Sequence, residues 1–208
     1  MARLHENLGR VVRRGESADQ TIGIVQPVSN VLPSFRYHPD PLNTGSVSEA
    51  SDECHCCGQR RGYIYVGPIY AAGEIPRRAI CPWCIAEGRA SSEFDAEFTD
   101  VGWGVPEDVP ASVLHEVSHR TPGFSTWQQD HWLYHCGDAC AFLGRVGRAD
   151  LDQYPDALEM LLHENDSFGW KAEQSRRYVD SLDASGEATA YLFRCLICNA
   201  HLAFSDTA

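Results

Sequence analysis

The feature that most constrains this chain is a pair of short cysteine spacings: Cys54 and Cys57 in ECHCCGQRRG, and Cys81 and Cys84 in AICPWCIAEG, with 23 residues between the pairs. Two thiolates three positions apart on a tight turn point at one ion, and a second such turn completes the tetrahedron that zinc accepts from four sulfurs. Four independent core thiols rarely fall into two matched pairs, so a metal site accounts for the spacing better than a cysteine-rich interior. With every position filled by protein, such a zinc is structural and leaves no place for an activating water. Gly58 eases the turn after the first pair, and Cys56 is a spare thiol between two expected ligands. A redox reading of Cys81-Pro82-Trp83-Cys84 calls for a thioredoxin-like βαβ unit, and none precedes it. An iron–sulfur cluster also uses four thiolates, but the ribbon-like spacing favours zinc.

A second expected zinc set is Cys136 and Cys140, in HCGDACAF, with Cys195 and Cys198, in FRCLICNAHLAF. C-x-x-x-C is the less regular spacing, and His135 and Asp138 stand beside it as alternative ligands; with either in place of a cysteine the site could hold water and become reactive. Nine cysteines, an odd number, fit metal binding in a reducing compartment better than a disulfide framework. The start MARLHENLGRVVRRGESADQ carries charge where a signal peptide needs a continuous apolar centre, and no apolar run reaches the roughly 18 residues of a membrane span. The expected location is the cytoplasm, with no membrane contact.

Charge narrows the partners. The chain carries a net charge of -12, and between Arg89 and Arg120 lie Glu93, Asp95, Glu97, Asp100, Glu107, Asp108 and Glu116 with no Lys or Arg. A second acidic run holds Asp150, Asp152, Asp156, Glu159, Glu164 and Asp166. Nucleic-acid affinity rests on neutralising phosphates with Lys and Arg, so DNA or RNA binding is disfavoured. A solvated acidic surface, or a docking face for a basic protein partner or toxin, remains.

The pattern of elements predicts an α+β chain: a mobile arm over 1–30, then a single unit over 31–208. In that unit a small zinc-ribbon-like lobe (31–105) packs on a mixed α/β lobe (106–208) with short antiparallel strands and the second cysteine cluster. GYIYVGPIYA predicts one or two short strands interrupted at Pro68, Cys81 to Ala90 a short helix or turn, and residues 92–106 an acidic loop anchored by Phe94, Phe98 and Trp103. Helices are expected for ASVLHEVSHR, capped by Asp108, and for TWQQDHWLYH, LDQYPDALEMLLHEN and WKAEQSRRYVDSL. CAFLGRVG, TAYLFRC and AHLAFS are expected strands, the last two paired around a cysteine turn.

His115-Glu116-Val117-Ser118-His119 matches H-E-x-x-H, the pattern in which two histidines of a helix bind zinc and the glutamate activates water. The expected helix ends almost at once at Thr121-Pro122-Gly123 and no third ligand is evident, so chance on a solvated helix explains the match better. No G-x-S-x-G elbow, phosphate-cradling loop or dinucleotide fingerprint is present.

In order, LPSFRYHPDPL, CHCCG, GPIY, ICPWCIAEG, RTPGFSTWQQDHWLYHCGDACAFLG and YLFRCLICNAHLAF resemble the CbrC family of colicin-tolerance proteins over residues 31–206. The resemblance rests on both cysteine groups and the tract around Trp127-Gln128-Gln129. It implies a bacterial protein associated with tolerance to a colicin and no established reaction, and its matched positions are Cys54, Cys57, Cys81, Cys84, Cys136, Cys140, Cys195 and Cys198. H-E-x-x-H is not part of that pattern. The expected function is a non-enzymatic, zinc-stabilised protein that holds a basic toxin or regulator against its acidic face. The alternatives are a hydrolase using His115, Glu116 and His119 or an open second zinc, and a redox or metal-status sensor using Cys56 and the second cluster.

Overall fold

A computed structural model describes residues 31–208 except Trp103; the expectations for the 1–30 arm and for Trp103 lie outside the described residues. The first elements among the described residues are small: β1 (Val47–Glu49) pairs antiparallel with β2 (Tyr63–Tyr65), and β3 (Tyr70–Ala71) with β4 (Ala96–Glu97). Between β3 and β4 lie α1 (Pro82–Ala86) and α2 (Arg89–Phe94). α3 (Ala111–Arg120) then leads to the β5 (Tyr134–His135) and β6 (Asp138–Ala139) hairpin and to β7 (Ala141–Val146). Three helices follow, α4 (Arg148–Leu151), α5 (Pro155–Ser167) and α6 (Ala172–Asp180), and β8 (Ala188–Arg194) and β9 (His201–Thr207) complete an antiparallel sheet of order β7-β8-β9.

That sheet is buried on both faces, which is why ATAYLFR reads as a nearly continuous apolar run. Side chains alternate along a strand. Tyr191 and Phe193 of β8 and Phe204 of β9 enter an aromatic cluster with Phe124, Trp132 and Phe142, whereas Ala190, Leu192 and Ala203 face Leu151, Leu161 and Val179 of the helices. Phe124 sits at the centre of the aromatic cluster, stacked on Phe142 at 3.8 Å and 14°. A separate cluster, built on Ile64, Tyr65, Ile80, Ile85 and Phe98, surrounds the first cysteine group. The segment before β1 reaches across: the Phe142 N–H donates to Tyr37 O at 2.8 Å, and the buried His38 ring bridges Pro122 O and Thr44 Oγ1, both at 2.7 Å.

Several local expectations are corrected. TWQQDHWLYH does not form a helix, because tertiary partners take its polar groups. Asp206 Oδ2 accepts from the Trp127 and Gln128 N–H groups at 3.0 Å each, and the Trp132 indole donates to Cys140 O at 2.8 Å. Asp130, buried, accepts from Tyr70 Oη and from Thr99 Oγ1. Asp108 does not cap α3, whose N-cap position is Pro110 with no side-chain bond. The expected LDQYPDALEMLLHEN helix splits before Pro155, which takes the first position of α5, where its missing N–H costs nothing. Part of the expected 92–106 loop is the end of α2 and β4. At Gly123 a Cβ would lie 1.8 Å from Phe98 O, so only glycine lets these backbones touch.

Removing the ring at the aromatic centre should leave a cavity that close packing cannot refill. Phe124→Ala is expected to destabilise the metal-loaded protein by about 3–5 kcal/mol, read from the shift in its urea unfolding midpoint.

Candidate metal centres

The first centre is built from a knuckle and a helix start. In the knuckle, the Cys54 N–H donates to Gln59 O at 3.0 Å and the Gly58 N–H to Cys54 O at 2.7 Å; Gly58 has φ +66°, a region open to glycine at little cost. The His55 N–H donates to Ala79 O at 2.8 Å, which brings up the second pair. There Cys81 is extended (φ -85°, ψ 152°) and Pro82 begins α1, so Cys84 lies on the first helical turn. The second pair therefore uses a helix N-terminus, in the short helix or turn expected for Cys81 to Ala90.

All four sulfurs converge. Cys54 Sγ lies 3.8 Å from Cys84 Sγ and Cys57 Sγ 3.8 Å from Cys81 Sγ, and the four lie within 4.8 Å of one another. A tetrahedron with metal–sulfur bonds of about 2.3 Å has edges of about 3.8 Å, whereas a disulfide needs about 2.05 Å. The spacing is thus that of a cage for one ion. Cys54, Cys81 and Cys84 are buried. Hydrogen bonds from Cys81 and Cys84 hold Cys54 far below the usual thiol range; the bond to Cys54 pushes Cys81 up to about 12 and Cys84 higher still. Like charges crowded this closely oppose one another, and a cation among them is what favours the thiolate form. Cys56 is outside the cage, pushed up to about 11 by burial.

The second centre joins two hairpin tips. His135 pairs with Asp138 across a two-residue turn in which Cys136 (φ +54°) and Gly137 (φ +71°) both take positive φ, as a type I′ turn requires. Cys195 and Cys198 lie in the β8–β9 connection and repeat the first knuckle. The Cys195 N–H donates to Ala200 O at 2.8 Å and the Asn199 N–H to Cys195 O at 3.1 Å, with Asn199 at φ +62° in the place of Gly58. His135 Nδ1 is 3.2 Å from Cys136 Sγ and 3.3 Å from Cys198 Sγ, and the His135, Cys136, Cys195 and Cys198 donors lie within 4.8 Å of one another. Burial raises the Cys195 thiol, but the N–H groups of Cys198 and Ile197, at 3.5 and 3.4 Å, help draw it down to about 6. His135, Cys136 and Cys198 are exposed.

Of the expected second set the structure thus gathers Cys136, Cys195 and Cys198, with His135 as the fourth donor instead of Cys140. Cys140 is buried and its N–H bonds Leu133 O, two rungs behind the His135–Asp138 rung. At about 3.3 Å per residue it lies too far back from the tip. Asp138 is excluded as a ligand because Arg36 (2.7 Å) holds one carboxylate oxygen, and Tyr37 Oη (2.8 Å) and the Ala139 N–H (2.9 Å) the other. The signal in the sequence was the His-Cys-Gly-Asp tetrapeptide, whose turn puts His135 beside the tip cysteine. On α3, the His115 and His119 rings stack at 4.3 Å and 3°, while Glu116 lines a cleft with Arg36 and Arg120.

Comparisons with known proteins agree on one family. Residues 32–207 match the family model described as "Uncharacterised protein family (UPF0167)". The UPF0167 protein Mb2317 of Mycobacterium bovis is 54% identical over 177 residues, 85% of this chain and 94% of that protein. The UPF0167 protein PA1536 of Pseudomonas aeruginosa is 42% identical over 167 residues, 80% of this chain and 92% of its own. No solved structure matches the chain.

The two donor sets make a stoichiometric test. Purified protein should carry two tightly bound divalent ions by elemental analysis; Cys57→Ala and His135→Ala should each lose one, and Cys140→Ala should keep both. Under a graded chelator challenge the exposed second centre should empty before the buried first.

Proposed function

The chain belongs to the UPF0167 family, and on that footing we propose a zinc-stabilised, non-enzymatic cytoplasmic protein that contributes to colicin tolerance by binding a basic protein partner through its acidic surface, as the CbrC-type resemblance implies. The observation that carries this reading is the closure of both centres. Each offers four protein donors, so an ion in either has a complete tetrahedral shell and a structural role. Zinc suits these thiolate-rich sets, being tetrahedral by habit and without redox chemistry of its own. The knuckle at Cys54 supports the zinc-ribbon-like description of residues 31–105, with the helix start at Cys81 as its departure from a ribbon.

Exposure supports the acidic docking face. Glu93, Asp95, Glu107 and Asp108 are exposed, as are Asp150, Asp152, Asp156, Glu159 and Asp166. Such a surface speeds encounter with a cationic protein and loses force as salt rises. No helix among the described residues is long and apolar enough to cross a membrane.

A second reading, a redox- or metal-responsive role, is favoured by the exposure of His135, Cys136 and Cys198 beside the buried sulfurs of the first centre. Hydrogen peroxide should then release one zinc reversibly while the other stays bound; simultaneous loss of both, or of neither, counts against it. For the leading reading, immobilised zinc-loaded protein should retain a basic colicin nuclease domain or a basic host protein at about 0.01 M salt and release it at about 0.1 M, as the screening length falls from about 30 to about 10 Å. Glu107→Lys with Asp108→Lys should weaken retention. Absence of any retained cationic protein at low salt would sink the docking reading.

A further inference from the structure

We propose that the cleft between segment 66–78 and Ser125 binds a small organic oxyanion, a carboxylate or phosphate group carried on an apolar body. The cleft measures about 540 Å³, a size suited to a small molecule. Its walls divide by chemistry: Val66, Ile69 and Ile75, each half-buried, form an apolar side, and Arg77 and Arg78 bring charge. No Asp or Glu is among its described lining residues, in a chain with 29 acidic residues against 17 basic ones. Three other clefts hold arginine together with a carboxylate: Glu116 with Arg36 and Arg120, Asp180 with Arg148 and Arg176, and Glu173 with Arg177. In two of them the cation is answered on the spot, by the Arg148–Asp180 pair at 3.2 Å and by Arg177–Glu173. In the 66–78 cleft the Arg77 side chain makes no hydrogen bond or ion pair with any described residue. Arg78 has only Asp52, half-exposed and outside the cleft, at 3.6 Å, beyond hydrogen-bond range.

The cleft is held in shape before any ligand arrives. Arg78 has φ +59°, in the left-handed region that side chains rarely enter. Along extended backbone successive side chains point to opposite faces, so the left-handed turn at Arg78 accounts for two consecutive arginines lining one cleft. The walls are fixed from behind. The buried Tyr65 Oη donates to Pro68 O at 2.7 Å, and the Val66 N–H donates to Ser46 O at 2.9 Å. Across the cleft, Arg145 donates to Ser125 O at 2.7 Å. A planar guanidinium offers paired N–H donors that match the oxygens of carboxylate and phosphate. A bare inorganic ion would leave the apolar wall in water, and a neutral apolar molecule would leave the two cations unanswered. The occupant that satisfies both walls joins an oxyanion to an apolar body.

The test titrates the zinc-loaded full chain with phenylacetate and with phenyl phosphate in a calorimeter at low salt. One or both should bind about tenfold or more tightly than phenylacetamide and inorganic phosphate, and the preference between the two identifies the head group. Arg77→Gln and Arg78→Gln should each weaken binding by about tenfold, and Ile75→Asp by a similar factor, with zinc content and circular dichroism unchanged. Arg60→Gln, outside the cleft, should leave the affinity as it was. No binding of either aromatic anion at millimolar concentration would overturn the proposal. So would affinities no better than those of phenylacetamide or inorganic phosphate, or binding indifferent to both arginine variants.

Discussion

Four sulfurs within 4.8 Å of one another cannot all carry charge without a cation among them, and the first half of the fold is arranged around that constraint. Its regular elements are small: strands of two or three residues and helices of five and six. Helices and hairpins of that size are marginal on their own in water. What holds them is a shared attachment, since β2, the Cys54 knuckle and α1 all pack into the cluster that contains Cys54, Cys81 and Cys84. Structural zinc in peptides of comparable size contributes about 10–16 kcal/mol, more than the net stability of most domains. The second half is different. Its sheet has seven-residue strands buried on both faces, and the second centre clips two hairpin tips at its margin. The same chemistry serves as a foundation in one place and as a fastening in the other.

The two knuckles reach one geometry from different residues. Each cysteine N–H bonds the carbonyl five positions on, and each cysteine carbonyl accepts from the N–H four positions on, where the backbone turns left-handed. Gly58 fills that place at the first centre and Asn199 at the second; these are the two residue types that enter the left-handed region most readily. Fixing the loop this way also points N–H groups at a sulfur, as Ile197 and Cys198 do toward Cys195, and this favours the thiolate before any metal arrives.

Much of this was legible in the sequence because it was local. The C-x-x-C spacings, the β8 and β9 strands about a cysteine turn, α3 ending before Thr121-Pro122-Gly123, and the Pro68 interruption all follow from short-range rules and all stand in the structure. What was not legible depends on distant partners. The helical pattern of TWQQDHWLYH is overridden by Asp206, which takes two of its amides from 78 and 79 residues away. Cys140 resembles a ligand by spacing, and only the register Leu133 to Cys140 shows that it lies behind the cluster of donors at the hairpin tip.

The separations between ligands also set an order of assembly during synthesis. Cys54 and Cys84 are 30 residues apart and Cys57 and Cys81 24, whereas His135 and Cys198 are separated by 63. A nascent chain emerges from its N-terminal end and folds as its parts become available. The first cage therefore has all its ligands before the second has any, and can take up its ion while the rest of the chain is still being made.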